Sequence, residues 1–205
     1  MSKVSEFTVE LVNHNSVKSF VKKHHYSGST RGIHISYCFG LYSPDGGPFG
    51  LPRMIGAMIY GTPAMPDVSK KYYLENPDKV LELNRLCCID DTPKNTESFF
   101  IGKTLRWLKR NTDYKVIVSF ADTAQGHEGI IYKATNFIHK GMTTGAKALM
   151  VDGERYHQRM LTKKCPKGDE IRKRIKDKDE NIWTEQLPPK HIYVKSLDRK
   201  VIIES

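Results

Sequence analysis

The sequence predicts an α/β fold built on one mixed sheet. Three observations carry that reading. Short β-prone runs alternate with segments of helical spacing, in the order β-α-β-β-(α)-β-α-β-α-β. The run KVIVSF, residues 115–120, is continuously apolar, as in a strand covered on both faces within a partly parallel sheet. Of 205 residues, 39% are apolar and 27% charged, which suits one domain with a core of its own.

Residues 7–12 alternate and read as a first strand. Residues 13–16 offer helix caps, and Val17, Phe20, Val21 and His24 then share one helical face. That helix runs into the loop HHYSGSTRG, marked by Gly28 and Gly32. Residues 33–41 and 54–60 form a hairpin around SPDGG. Residues 61–66 read as irregular, and a helical turn or two is expected at 72–78. VLELNRLCCI, residues 80–89, is a strand, broken by residues 90–94. Residues 96–110 hold the longest helical pattern. Asn95 or Thr96 can cap it, Ile101, Leu105 and Leu108 share a face, and Lys109 and Arg110 suit its negative end. A short helix at 129–136 and strands at 148–151 and 192–194 complete the set.

No run approaches the ~18 apolar residues of a membrane span, and the start MSKVSEFTVE lacks a signal-peptide core. Four cysteines without a C-x-x-C pair exclude a cysteine-built zinc module and point to a reducing cytoplasm. The net charge is +10 with a pI near 9.4, which favours an anionic partner. Residues 155–178 carry ten Lys or Arg against three acids, a local +7, with Tyr156 and His157 at their start and Trp183 after them. This predicts one domain, 1–205, with a basic C-terminal extension at about 153–185 that holds phosphates.

Several residues suggest chemistry. Asp122 follows the buried strand, at the strand end where α/β sheets place ligands. Its alternative is a turn former. His25 is a natural general base near neutral pH, and Tyr26 beside it offers an aromatic face. Arg85 among apolar neighbours requires an anion or a carboxylate. Strict alternation puts Leu83, Arg85 and Cys87 on one face, and Glu82, Asn84 and Leu86 on the other. His24 and His25 diverge by ~100° and make a poor metal pair. His127 with Asp122 or Glu128 is a looser possibility. No metal ligand is assigned, and a metal requirement stays open.

The segment IYKATNFIHKG, residues 131–141, resembles the signature after the fifth strand of the GNAT acyltransferase superfamily, with Asn136 where that family usually has Gly. HHYSGS (24–29), ELNRLCCIDDTPKNTESFFIGKTLRWLKR (82–110) and VSFADTAQGHEGIIYKATNF (118–137) together are similar to the bacteriophage Mom family. The likeness covers roughly residues 20–141. Later, only YHQRML and the terminal KHIYV match.

The resemblance implies a single GNAT-like domain with a mixed, mostly antiparallel central sheet flanked by helices. It implies an enzyme of the host cell cytoplasm that modifies adenine in phage DNA and protects it from restriction. The group, of acetamido or carbamoylmethyl type, would come from acetyl-CoA or a related acyl-CoA. It would go to an adenine that is flipped out or single-stranded. His25 or Asp122 would be the base and Tyr132 the acid. Lys94, Asn95, Thr96 and Ser98, with Cys87 and Cys88 on the preceding strand, would hold the cofactor. PKNTESFFIG lacks the glycine pair of the usual GNAT pyrophosphate loop, and Glu97 opposes a phosphate. Tyr26, Ser27, Arg85, Ser119, His157 and Arg159 would meet the substrate. The alternatives are an acetyltransferase acting on protein, RNA or a small amine, and a non-catalytic DNA-binding module.

Overall fold

The computed structural model describes residues 3–156, 159–162 and 166–203. In chain order the elements are β1 (Thr8–Val12), α1 (His14–His24), β2 (His34–Ser43), β3 (Arg53–Thr62), α2 (Pro66–Tyr72), β4 (Val80–Cys88), α3 (Thr96–Asn111), β5 (Val116–Asp122) and α4 (Ile130–Ala134). There follow β6 (Ile138–Met142), β7 (Lys147–Val151), β8 (Glu154–Tyr156), α5 (Arg159–Thr162), α6 (Pro166–Lys176), β9 (Ile182–Gln186) and β10 (Lys190–Ser196). A seven-stranded sheet has the order β1-β2-β3-β4-β5-β10-β6, and a three-stranded sheet the order β8-β7-β9. Two compact units result. The larger holds residues up to 121, 127–141 and from 191. The smaller holds 122–126 and 142–190. Among the described residues no helix is long and apolar enough to cross a membrane.

In the larger unit β1 to β4 pair antiparallel, and β4 pairs parallel with β5. The parallel neighbour is the continuous apolar run. Val116, Ile117 and Val118 are all fully buried, so no polar position breaks the pattern. Asn13 caps α1, its Oδ1 accepting from the Ser16 N–H at 3.0 Å. Val17 and Val21 bury that helix against Cys38, Ala57, Ile59 and Cys87. Phe39, next to Cys38 on β2, joins Phe100, Ile101, Leu105 and Leu108 of α3 instead. Alternation thus sends the two helices to opposite faces of one sheet. Each fully buried side chain of this kind contributes roughly 1.5–3 kcal/mol.

Some elements differ from the sequence reading. The helix expected at 72–78 comes earlier, at Pro66–Tyr72, where Pro66 starts it and Asp67 sits in its first turn. Residues 77–79 form only a 3-10 turn. β6 and β9 are mostly exposed, so they lack the alternation that betrays a strand. α6 buries little besides Ile171, which its charges hide from a periodicity search.

The described residues of the expected basic extension belong to the smaller unit. Leu149, Val151 and Ile171 make its core. Arg174 forks onto Asp152, with bonds of 2.6 and 2.8 Å, and its Nε reaches Asp179 at 2.6 Å. Arg172 pairs with Asp169. Two cations expected on phosphates are therefore held by carboxylates. Widening the window to residues 152–180 adds Asp152, Glu154, Asp179 and Glu180, and the local charge falls from +7 to +3.

α4 is short, and two left-handed residues bracket it. Gly129 has φ +72° and Asn136 φ +58°. Asn tolerates that conformation, as its place in the motif requires. At Gly129 a Cβ would stand 2.1 Å from the Tyr193 ring, whose hydroxyl donates to Glu128 O at 2.6 Å. Gly129→Ala is therefore expected to destabilise the fold by about 1–3 kcal/mol through backbone strain alone, with the ring clash in addition. Urea unfolding of the variant against wild type measures it.

Candidate active site

The site begins with an irregularity in β4. On β3, Ile59 faces Arg85 and Tyr60 faces Leu83, so Asn84 between them has no partner and forms a bulge. Strict alternation fails here. Leu83 joins the α3 side of the sheet, while Cys87 joins the α1 side. The parallel ladder with β5 runs from Val80–Val116 to Leu83–Ser119 and ends there. β4 continues to Cys88 and β5 to Asp122 with no further pairing between them. The two strand ends leave an opening edged by backbone N–H and C=O groups. Asn84 Oδ1 is buried beside the bulge without a hydrogen-bond partner.

Tyr132, 8% exposed, projects from α4 to the last rung of that ladder. Its hydroxyl lies 2.8 Å from Ser119 Oγ, which lies 3.0 Å from Leu83 O. The carbonyl can only accept, so it takes the Ser119 proton and leaves the serine oxygen to accept from Tyr132. Tyr193 stacks on the phenol ring at 5.1 Å, and Phe137 packs beside it. Burial pushes the Tyr132 pKa up to about 12, against the lowering effect of Ser119, and the charges of Tyr26 and Glu82 add to the rise. Tyr132 therefore keeps its proton at neutral pH. Ser119 is fully buried with its hydroxyl committed, so it stands behind Tyr132 and does not line the opening.

His25 caps the end of α1 and is 9% exposed. Its Nδ1 accepts from the Ser27 N–H at 3.1 Å and lies 2.8 Å from Ser27 Oγ. The neutral ring then carries its proton on Nε2. Burial, followed by the Arg85 and His127 charges, lowers its pKa to about 4. Both observations oppose the base role expected near neutral pH, and both suit a hydrogen-bond donor. Tyr26, 50% exposed, stacks on His25 at 4.3 Å, and His127 meets its edge at 5.6 Å. Arg85 Nε donates to Ser29 O at 3.1 Å, and a terminal nitrogen donates to Asn84 O at 2.7 Å. No carboxylate among the described residues lies within ion-pair distance of Arg85. Burial lowers its pKa, opposed by Tyr26 and Glu82.

The remaining candidates divide. Asp122 ends β5 at the start of the smaller unit. Its Oδ1 accepts from Ala124 N–H at 3.1 Å, and Lys190 Nζ lies 2.9 Å from Oδ2. The helix start at α3 is open in an unexpected way. Asn95 is left-handed, φ +72°, and makes no side-chain cap. Thr96 donates to Pro93 O at 2.6 Å and Ser98 to Asn95 O at 3.0 Å, so both hydroxyl protons are spent on the backbone. Backbone N–H groups of the first turn, with exposed Lys94 beside them, are what that end offers. Burial raises both the Cys87 and Cys88 thiols, Cys87 to about 12. Cys88 Sγ packs so tightly on Gly56 that a Cβ there would stand 2.9 Å away. Arg159 begins α5 in the smaller unit, and His157 lies outside the described residues.

The fold thus gathers His25, Tyr26, Ser27 and Arg85, and couples Ser119 to Tyr132. It adds Glu82, Asn84 and His127, which the sequence reading had not made site residues. The signal for Asn84 and Glu82 lay inside ELNRL, but a period-two reading cannot show a bulge. No group of three or more His, Cys, Asp or Glu among the described residues is arranged to hold a metal.

A family model described as the Mom protein family matches residues 6–203. The chain belongs to that family. The match extends well beyond the 20–141 stretch that carried the resemblance. The chain is 29% identical over 158 residues to the methylcarbamoylase mom of Escherichia phage Mu, covering 75% of this chain and 61% of that protein. It spans less than two thirds of the length of that curated relative. Among solved structures it is similar to the ribosomal-protein-S5-alanine acetyltransferase of Vibrio fischeri, with TM-score 0.53 and 9% identity, covering 95% of this chain and 94% of the other. It is also similar to Arabidopsis thaliana NAA60 in complex with acetyl-CoA, with TM-score 0.53 and 8% identity, covering 93% and 98%. At such identity the likeness shows the fold, and this Mom-family chain has the GNAT acetyltransferase fold with a mostly antiparallel sheet.

The His25 environment sets a pH dependence. Its folded pKa lies below the ~6.5 of an unfolded histidine, so protonation favours unfolding. The stability it provides is complete above pH ~6.5 and is lost as pH falls toward 4. Between pH 7 and 4 the unfolding free energy of wild type should drop about 3 kcal/mol more than that of His25→Gln. Paired urea titrations across that range check it.

Proposed function

We propose that this Mom-family chain is a transferase that places an acyl-CoA-derived group, of acetamido or carbamoylmethyl type, on the exocyclic amine of adenine in DNA. Phage DNA so modified would resist host restriction. One observation carries the reading: a buried, protonated tyrosine, wired through Ser119 to the strand backbone, stands where the β4–β5 ladder ends.

An acyl-CoA suits this opening. The unpaired strand edges of residues 84–88 and 120–122 match an extended amide-containing chain, and the uncapped start of α3 suits a pyrophosphate. Asn95 and Lys94 support the second contact, while Glu97 opposes it. Bound there, the cofactor supplies an acyl carbon activated as a thioester. Everything else falls to the protein.

Adenine's amine is conjugated with its ring and is a weak nucleophile, so it must be held in place and relieved of a proton as it attacks. In this reading Tyr26 stacks the base after it leaves the duplex. Ser27 flanks it, and His25 donates from Nε2. Asp122 accepts from the amine and takes its proton. Arg85, with no carboxylate among the described residues within ion-pair distance, faces developing negative charge. Tyr132 protonates the leaving thiolate, and Ser119 rotates to donate to the phenolate left behind. This step delivers an acyl group and gives the acetamido product; a carbamoylmethyl product would take its amide nitrogen from a second, amine-donating substrate and its bond to adenine through the acyl CH2.

Mass spectrometry of nucleosides from DNA propagated with the protein should show a modified deoxyadenosine. Tyr132→Phe and Asp122→Ala should each lower its yield ~100–10,000-fold while the fold persists. Normal yields from both variants would sink these roles. Label from acetyl-CoA arriving on protein or a small amine, with DNA unlabelled, would replace the acceptor. Absence of heat and of thermal shift at millimolar coenzyme A would remove the cofactor.

A further inference from the structure

Between Glu10 and Asp45 the sequence has no carboxylate, although the chain holds 23. Those 34 residues carry Lys18, Lys22, Lys23 and Arg31, together with four histidines. They comprise the end of β1, α1, the site loop and all of β2. Val17 and Val21 face the sheet, which leaves Lys18, Lys22 and Lys23 exposed on the outer side of α1. Lys18 and Lys22 stand one helical turn apart, about 6 Å along the axis. Arg31 is exposed on the loop that also carries half-exposed Tyr26 and the Ser29 carbonyl that holds Arg85. No carboxylate among the described residues is within ion-pair distance of these four cations.

The plain structural account is that basic residues suit the negative end of a helix. It covers Lys22 and Lys23. It does not cover Lys18, which lies in mid-helix, or Arg31, which lies beyond the helix. In segment 155–178, by contrast, Arg172 and Arg174 are clasped by Asp169, Asp152 and Asp179.

We propose that α1 and the loop after it form the surface that holds the DNA backbone, with Lys18, Lys22, Lys23 and Arg31 on the phosphates that flank the adenine received at Tyr26. The inference rests on the DNA-modification reading. It moves the main phosphate contacts from residues 155–178 to the helix that leads into the site. Such contacts fix position and carry no sequence information. The α1 cations therefore set affinity and salt dependence, and the pocket sets which base is modified.

The test compares two triple variants, Lys18→Gln/Lys22→Gln/Lys23→Gln on α1 and Lys173→Gln/Lys176→Gln/Lys178→Gln on and just after α6. Each phosphate contact contributes about −0.9 to the slope of log affinity against log salt on duplex DNA. The α1 variant should flatten that slope by about 2 to 3, and the α6 variant by less than about 1. Coenzyme A binding should be unchanged in both. Should the triple α1 variant fold poorly by circular dichroism, Lys18→Gln and Lys22→Gln singly should each flatten the slope by about 0.9. A wild-type slope retained by the α1 variants would overturn the surface and leave the modification reading standing. Absence of salt-dependent DNA binding by wild type, with no modified nucleoside, would overturn the reading itself. Tighter and steeper binding to RNA than to duplex DNA of equal length would give the surface to RNA and overturn the proposal.

Discussion

The parting of β4 and β5 is the constraint on which the site depends. A parallel ladder that ran the full length of both strands would bury every backbone group between them. The unpaired Asn84 ends the ladder after Leu83–Ser119. Two consequences follow from one extra residue. The faces of β4 exchange, so Leu83 packs under α3 while Arg85 turns toward the loop after α1. The last paired rung also becomes an anchor, because Leu83 O and Ser119 Oγ fix the hydroxyl of Tyr132. Opening, arginine and tyrosine therefore come as a set.

The larger unit was legible because its elements obey simple periods. Val17 and Val21 at helical spacing, the apolar run at 116–118 and the long α3 each carry a pattern that burial enforces. Asn136 was legible too, since few residues other than Gly and Asn take the left-handed turn there. What stayed hidden had a physical reason in each case. The bulge at Asn84 involves a single residue and leaves no periodic trace. β6 and β9 bury almost nothing, so no alternation marks them. The depressed pKa of His25 comes from burial and from Arg85, sixty residues away in the chain.

Charge shows the limit of counting in a window. Residues 155–178 looked like the strongest basic field, but the acids that neutralise Arg174 lie just outside that window, at Asp152 and Asp179. The fold brings them in. A stretch with fewer cations and no acids at all presents freer charge than a dense stretch in which Arg172 and Arg174 are held by carboxylates. The same Arg174 fork contributes to the smaller unit in another way, tying the turn after β7 to the end of α6, where the apolar core is small.

The buried cysteines bear on the order of events. Cys87 and Cys88 lie on the strand that edges the opening, and burial holds both thiols protonated. Cys38 is in the same condition. A protonated thiol is a poor nucleophile, because the thiolate is the reactive form. Among the described cysteines none is placed to carry an acyl group as a covalent way-station. Without a cysteine carrier, the transfer proposed runs with donor and adenine in the site together, reacting directly. Kinetically that means a ternary complex, with intersecting and not parallel double-reciprocal lines, and a donor that survives intact on the protein until a base arrives.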